Sequence, residues 1–210
     1  TSPILTILES SYHTTVPPLP EKLKSAGRPV LGVELRIFDE DDQEVSRGNV
    51  GQICVKGENI MLGYRGMPEA TAEALRGGWL HTGDSGYMDE DGFVFIVDRV
   101  KDMIISGGEN VFSVEVENAL FAHPAVAECA VIGVPDEKWG EKVHAIVRLK
   151  DGQSATDEEL IEHCKELIAS FKCPRSVSFR EDPLPLSGAG KVLKRELRAP
   201  FWDGKTRDVN

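Results

Sequence analysis

The run DRVKDMIISGGENVFSVEVE, Asp98 to Glu117, constrains the fold more than any other stretch of the chain. A strand-like segment ends in it, a glycine pair follows, and a helix begins. Gly107 and Gly108 permit backbone conformations closed to other residues and let a ligand come close to the main chain. Ser113 is the expected N-cap of the helix. Glu115 falls in its first turn, where the positive end of the helix dipole favours a carboxylate. On its own the same pattern also serves as an ordinary hairpin-to-helix connection.

The rhythm of the chain differs on the two sides of this run. Upstream, VELRIFDEDDQEV reads as a strand, an acidic turn and the start of another strand, and GQICVKG as an alternating strand. WLHTGDSGYMDEDGFVFIVDR reads as two strands joined by a turn at Asp89 to Gly92. Pro17, Pro18 and Pro20 keep the stretch before them extended or turned. PEATAEALRGG predicts a brief helix, with Pro68 near its first turn and Gly77-Gly78 at its end. Together these predict a β-rich subdomain, a small distorted barrel or open sheet, over residues 1–98. Downstream, a helix over Val114 to Phe121 precedes strands in VAECAVIGV and VHAIVRL. A second helix is opened by the capping box of Thr156 and Glu159, and a strand at Val177 to Phe179 and a last helix around Leu193 to Leu197 follow. This alternation predicts a small α+β domain over residues 102–210, with 99–101 as the joint.

A net charge of −11 over 210 residues argues against a general polyanion-binding surface, so nucleic acid is not an expected partner. No apolar run is long enough to cross a membrane as a helix. Cys54, Cys129, Cys164 and Cys173 are widely spaced, with no CxxC pair, and suggest neither a zinc site nor a disulfide framework. A reducing cytoplasm is the expected compartment. His13, His81, His123, His144 and His163 have no ligand spacing, and no metal site is assigned. TSPILTILESSY has neither the charged region nor the apolar core of a signal peptide, and the sequence is expected to be an internal part of a longer polypeptide.

Three signatures stand in series: WLHTGDSGYMDEDGF at Trp79 to Phe93, DRVKDMIISGGENV at the joint, and PLPLSGAGKVLKREL at Pro183 to Leu197. Together with GQICVKGENIMLGY they resemble the adenylate-forming superfamily over almost the whole chain, nearest to its fatty-acyl and aryl-CoA ligases. The resemblance implies a two-step reaction. A carboxylate and ATP give an acyl-adenylate and pyrophosphate with magnesium, and coenzyme A then displaces AMP to form a thioester.

Residue types at the matched positions suit that chemistry. Asp84, in Thr82-Gly83-Asp84, matches the ribose-binding aspartate of the family, and a carboxylate accepting from both ribose hydroxyls makes charge-assisted bonds. Arg99 matches an arginine that reaches ribose or phosphate with its fixed fork of donors. Outside this context an aspartate after glycine is an ordinary turn residue. Lys191 matches the lysine that bridges the substrate carboxylate and the α-phosphate during adenylation, an electrostatic role. Without the motif it reads as a solvated loop lysine. Lys194 and Arg195 are taken as surface charges. Lys101 matches the hinge about which the C-terminal domain swings between the half-reactions, a task that asks for backbone freedom. After the swing, Gly107, Gly108 and Glu109 are expected to border the pantetheine tunnel.

Coenzyme A calls for an aromatic platform with nearby cations. The segments DEKWGEKV and FKCPRSV resemble those of chlorobenzoate-type ligases and carry that role to Trp139, Phe171 and Arg175. Cys173 departs from the pattern, standing where those ligases have a basic residue. Simple packing is the competing reading for both aromatics. The family's glycine-, serine- and threonine-rich phosphate loop is not in the sequence, so these residues alone are expected to be inactive. The alternatives are a separate binding or interaction module, or an adenylating enzyme that delivers to a carrier protein. Pro185 to Lys191 also has the pattern found around an acetylated lysine in related synthetases, which implies an acetyltransferase as partner.

Overall fold

The computed structural model describes residues 4–14, 20–188 and 190–204, so the stretch holding Pro17 and Pro18 lies outside the described residues. The chain forms two compact units, Thr1–Val100 and Lys101–Asn210.

The first unit opens with a short strand, β1 (Thr6–Ile7), and two helical turns, α1 (Ser10–Thr14) and α2 (Pro20–Leu23). β2 (Arg28–Pro29) pairs antiparallel with β1. The main sheet is an antiparallel meander of β3 (Val33–Phe38), β4 (Gly51–Gly57), β5 (Leu80–Met88) and β6 (Val94–Arg99), in chain order. The helix α3 (Pro68–Ala74) interrupts it with Pro68 in its first turn, and a 3-10 turn at Arg76–Gly78 ends it. Leu35, Ile37, Ile53, Val55, Leu80, Met88 and Val94 form its core, with Ala74 and Leu75 packed against them. The expected barrel does not close among the described residues: β3 and β6 are the outer strands, which leaves an open sheet. Along the outer edge of β6 the main chain of Val94 is already engaged, donating to Gly27 O at 2.9 Å and accepting from Ala26 N at 2.8 Å.

The second unit begins with a 3-10 turn at Val100–Asp102. The glycine pair that follows is the tip of a β-hairpin joining β7 (Ile104–Ser106) to β8 (Glu109–Val111). Gly107 and Gly108 both have positive φ, 64° and 85°, as a two-residue hairpin turn of the right twist requires. α4 (Ser113–Phe121) comes next. β9 (Val126–Asp136) and β10 (Gly140–Leu149) form a long antiparallel hairpin. α5 (Asp157–Leu167) starts at the predicted box, with Thr156 Oγ1 accepting from Glu159 N and Glu159 Oε2 from Thr156 N. β11 (Ser176–Phe179) runs parallel to β10, and α6 (Lys194–Arg198) ends the regular structure with a 3-10 turn at Ala199–Phe201.

β9 and β10 are buried on both faces, which is why their sequences read as nearly continuous apolar runs. Cys129, Val131, Val143, Ala145 and Val147 pack with Val116 and Leu120 of α4 and Leu160 of α5. Ala130, Ile132, Val134 and Ile146 pack instead with Leu184 and with Leu197 of α6.

Ser113 is not the N-cap of α4. Phe112 holds that position without a side-chain cap, and Ser113 is the first helical residue, fully buried, its Oγ accepting from Lys194 Nζ at 2.5 Å. Lys194 is correspondingly not a surface charge: its ammonium also meets Glu117 Oε1 at 2.7 Å, with both side chains largely withdrawn from water.

Candidate functional site

In the first unit the Thr-Gly-Asp motif is a bulge in β5. Gln52 pairs with Ser85 and Cys54 with His81, so Thr82, Gly83 and Asp84 lie opposite Ile53 alone. Gly83 takes φ 78°, and Thr82 Oγ1 closes the bulge by donating to Ile53 O at 2.8 Å and accepting from Asp84 N at 3.1 Å. A bulge of this kind re-aims the residue after it. Asp84 then sits across from Arg99 on β6, its Oδ1 4.0 Å from Arg99 Nε, with both side chains substantially exposed. Asp98 beside them is buried and accepts from Arg99 N at 2.7 Å, which fixes the start of the arginine's backbone. The pair is a carboxylate next to a guanidinium in water, able to accept from hydroxyls and to donate to phosphate.

In the second unit two hairpin tips meet. Asp136 Oδ1 accepts from Lys138 N at 3.0 Å and Trp139 N at 3.1 Å, and Gly140 takes φ 72°, so the β9–β10 turn presents Trp139 at its tip. Gly140 pairs with Ser106, and Gly107 N donates to Trp139 O at 2.9 Å. This brings the indole against the glycine turn: a Cβ on Gly107 would stand 2.5 Å from Trp139 Cε3. Arg175 arrives from the start of β11, its own N bonded to Val143 O, and lays its guanidinium 4.2 Å from the indole centroid. Lys138 Nζ lies 4.7 Å from the same ring. An aromatic ring flanked by two cations beside a turn without side chains has the chemistry to contact a flat group and to attract phosphate.

Of the sequence-predicted set, the structure therefore joins Asp84 with Arg99, and Gly107 with Trp139 and Arg175. Gly108 completes the turn and Glu109 is the exposed first residue of β8. Phe171 is exposed with Lys172 Nζ 5.7 Å over its ring, and among the described residues it makes no ring contact with Trp139. Cys173 is buried in the core formed by α4 and α5, and burial pushes its thiol upward, so it offers nothing to a nucleotide. Lys101 is exposed within the 3-10 turn. Lys191 projects from a separate loop, exposed, whose ends are held by the Leu186–Val192 bridge and by Ser187 N donating to Lys191 O at 2.7 Å.

Sequence reasoning missed the polar contacts behind these residues. Lys194 and Arg198 are spaced one helical turn apart on α6, a spacing that signals a shared face. Arg198 pairs with Asp102 at 3.0 Å. Glu141 interrupts the apolar pattern of β10, is buried, and accepts from Ile105 N at 3.3 Å beneath the glycine hairpin. Among the described residues no group of three or more His, Cys, Asp or Glu side chains is arranged to hold a metal ion, and no helix is long and apolar enough to cross a membrane.

Residues 2–65 match the family model described as AMP-binding enzyme, and residues 115–191 the one described as AMP-binding enzyme C-terminal domain. The chain belongs to the adenylate-forming superfamily. Within that superfamily it is 46% identical over 188 residues to a fatty acid–[acyl-carrier-protein] ligase from Streptomyces coeruleorubidus, covering 90% of this chain and 36% of that protein. It is 49% identical over 181 residues to a feruloyl-CoA synthase from an Amycolatopsis species, covering 86% of this chain and 37% of that protein. Among solved structures, o-succinylbenzoate CoA synthetase from Bacillus subtilis, in complex with its acyl-adenylate intermediate, superposes with a TM-score of 0.81 at 39% identity, over 92% of this chain and 38% of that one. The chain thus spans little more than a third of the length of the relatives it matches.

Proposed function

We propose that these residues belong to an AMP-forming acyl-CoA ligase, which activates a fatty or aryl carboxylate with ATP and passes the acyl group from the adenylate to coenzyme A. The observation that carries this reading is the platform of Trp139, Arg175 and Lys138 against the Gly107 turn, because it answers to coenzyme A rather than to ATP alone. Asp84 accepts from the ribose hydroxyls and Arg99 donates to ribose or phosphate oxygens. Lys191, on its exposed loop, brings positive charge to the carboxylate and α-phosphate as the mixed anhydride forms. Rotation about Lys101 then replaces Lys191 by the face containing Gly107, Gly108 and Glu109, with Trp139, Arg175 and Phe171 receiving the nucleotide end of coenzyme A.

The test is a separation of half-reactions in the complete enzyme. Lys191→Ala should slow pyrophosphate release by a hundredfold or more, as losing a preorganised charge at a developing anion does. Thioester formation from preformed acyl-adenylate should stay within about twofold, and the same split is expected when Lys191 is acetylated. Equal loss in both would remove Lys191 from the adenylation role. Arg175→Ala should raise the KM for coenzyme A and leave adenylation alone.

A carrier-protein acceptor is the second reading, favoured by the similarity to the acyl-carrier-protein ligase. Competition between coenzyme A and a holo carrier protein for the adenylate decides between them. The cation-flanked indole predicts that coenzyme A wins. The 210 residues by themselves contain no glycine-rich phosphate loop and are expected to give no ATP-dependent acyl-CoA.

A further inference from the structure

α6 is only five residues long, and three of its side chains are tied to three different places in the second unit. Leu197 is buried with Ala130, Ile132 and Val134 of β9. Lys194 reaches Glu117 and Ser113 of α4. Arg198, one turn further on, reaches the joint: its NH2 donates to Asp102 Oδ1 at 3.0 Å and its NH1 to the main-chain carbonyl of Lys101 at 3.4 Å. The Arg198 and Asp102 side chains are 14% and 21% exposed, so water competes weakly for the pair. A guanidinium fork that holds a carboxylate and the neighbouring carbonyl fixes direction as well as distance.

We propose that Arg198 is a positioning residue for the hinge: it fastens the Lys101 carbonyl and Asp102 to α6, so that rotation is confined to backbone bonds up to the Cα–C bond of Lys101. This rests on the proposed alternation about Lys101. From the Lys101 carbonyl onward the chain moves as part of the second unit. α6 begins just beyond Lys191, so one element connects the adenylating lysine's loop to the pivot that carries it away. Freed of the fork, the Asp102 backbone gains conformations that each docking of the unit must remove again. Ordering one residue's backbone corresponds to a factor of roughly ten in population.

The decisive measurement is suppression. Proline fixes φ at residue 101 and restricts ψ at Val100, so Lys101→Pro in the complete enzyme should leave one half-reaction and largely block the other, because the clamped chain offers no bond beyond Lys101 to make up for the two torsions lost. Adding Arg198→Met frees the Asp102 bonds and should restore the blocked half-reaction at least tenfold over Lys101→Pro alone. In the wild-type background Arg198→Met should slow both half-reactions by roughly ten, with Arg198→Lys losing less. A purely structural arginine would lower activity further in the proline background, and that result, or no change, overturns the proposal. Asp102→Ala removes the acceptor from the same fork and substitutes for Arg198→Met should that variant not fold. Hydrogen exchange of the peptide spanning Val100 to Met103 should quicken in both variants whether or not the enzyme is active; unchanged exchange would refute the clamp. A complete enzyme that forms no acyl-adenylate would instead defeat the functional reading, leaving exchange to decide the clamp.

Discussion

Gly107 and Gly108 are interchangeable letters in the sequence, and their surroundings make them different residues. Both have positive φ, so any side chain there carries left-handed strain of about 1–2 kcal/mol. Only at Gly107 would a Cβ also strike something, Trp139 Cε3 at 2.5 Å, whereas at Gly108 nothing lies within 4 Å. Gly107→Ala must therefore move the indole or the hairpin. It should raise the KM for coenzyme A by roughly tenfold, equivalent to ~1.4 kcal/mol, and leave adenylation unchanged. Gly108→Ala should lower stability without that kinetic signature; steady-state kinetics with coenzyme A varied would separate the two. His144 is a second residue whose environment overrides its type. It is buried, with Ser176 Oγ 2.8 Å from Nδ1, Ser178 Oγ 3.0 Å from Nε2, and Phe201 against its ring. Burial, with a smaller push from Lys142, takes it from an ordinary 6.5 down to about 4. Because the folded value lies below the unfolded one, the neutral ring is the native form. Its contribution is complete above pH 6.5 and is lost as pH falls from there to about 4, by on the order of 3 kcal/mol. Denaturant titrations at pH 7, 5.5 and 4.5 should show this loss, and His144→Gln should flatten it; an unchanged slope would assign the acid sensitivity to other groups.

At the scale of elements, the sequence was most legible where one local rule decides the outcome. Pro68 starts α3, the Thr156–Glu159 box starts α5, and alternating residues mark β4. The platform was legible in part, since Trp139 and Arg175 could be named from their segments. Their stacking depends on register: β7 meets β10 at Gly140, and β11 runs parallel to β10 from His144. Ser113 and Lys194 depart from their sequence expectations for the same reason. A serine before a helical run is usually a cap and a lysine on a short terminal helix usually solvated. Here α6 folds back and drives the ammonium between Ser113 and Glu117. The carboxylate of Glu117 also accepts from Val131 N at 2.8 Å, so it ties α4, α6 and β9 together. Lys194→Met leaves that carboxylate without its counter-charge and should destabilise the second unit by about 3 kcal/mol. Lys194→Met combined with Glu117→Gln should recover part of the loss. Urea unfolding of the four proteins in the cycle measures the coupling, and additive losses would mean the two groups do not act as a pair.

For the molecule as a whole, the distribution of the cores matters more than any one contact. The core of the first unit draws on residues between Leu5 and Val94, whereas both cores of the second draw on residues between Ile104 and Leu197. No core cluster among the described residues uses side chains from both units. The hydrogen-bonded sheets divide in the same way, β1 to β6 on one side and β7 to β11 on the other. A unit that owns its core and its sheet meets the requirements for folding alone, and the second has the usual size of such a domain. Residues 101–210, produced separately, should therefore unfold in a single cooperative transition with dispersed amide resonances. Lys194→Met should shift its midpoint as it does in the complete enzyme. A non-cooperative or molten 101–210 would mean that the second unit depends on the first for its stability. The swing proposed at Lys101 would then require more than a free pivot, because every rotation would strip that support away.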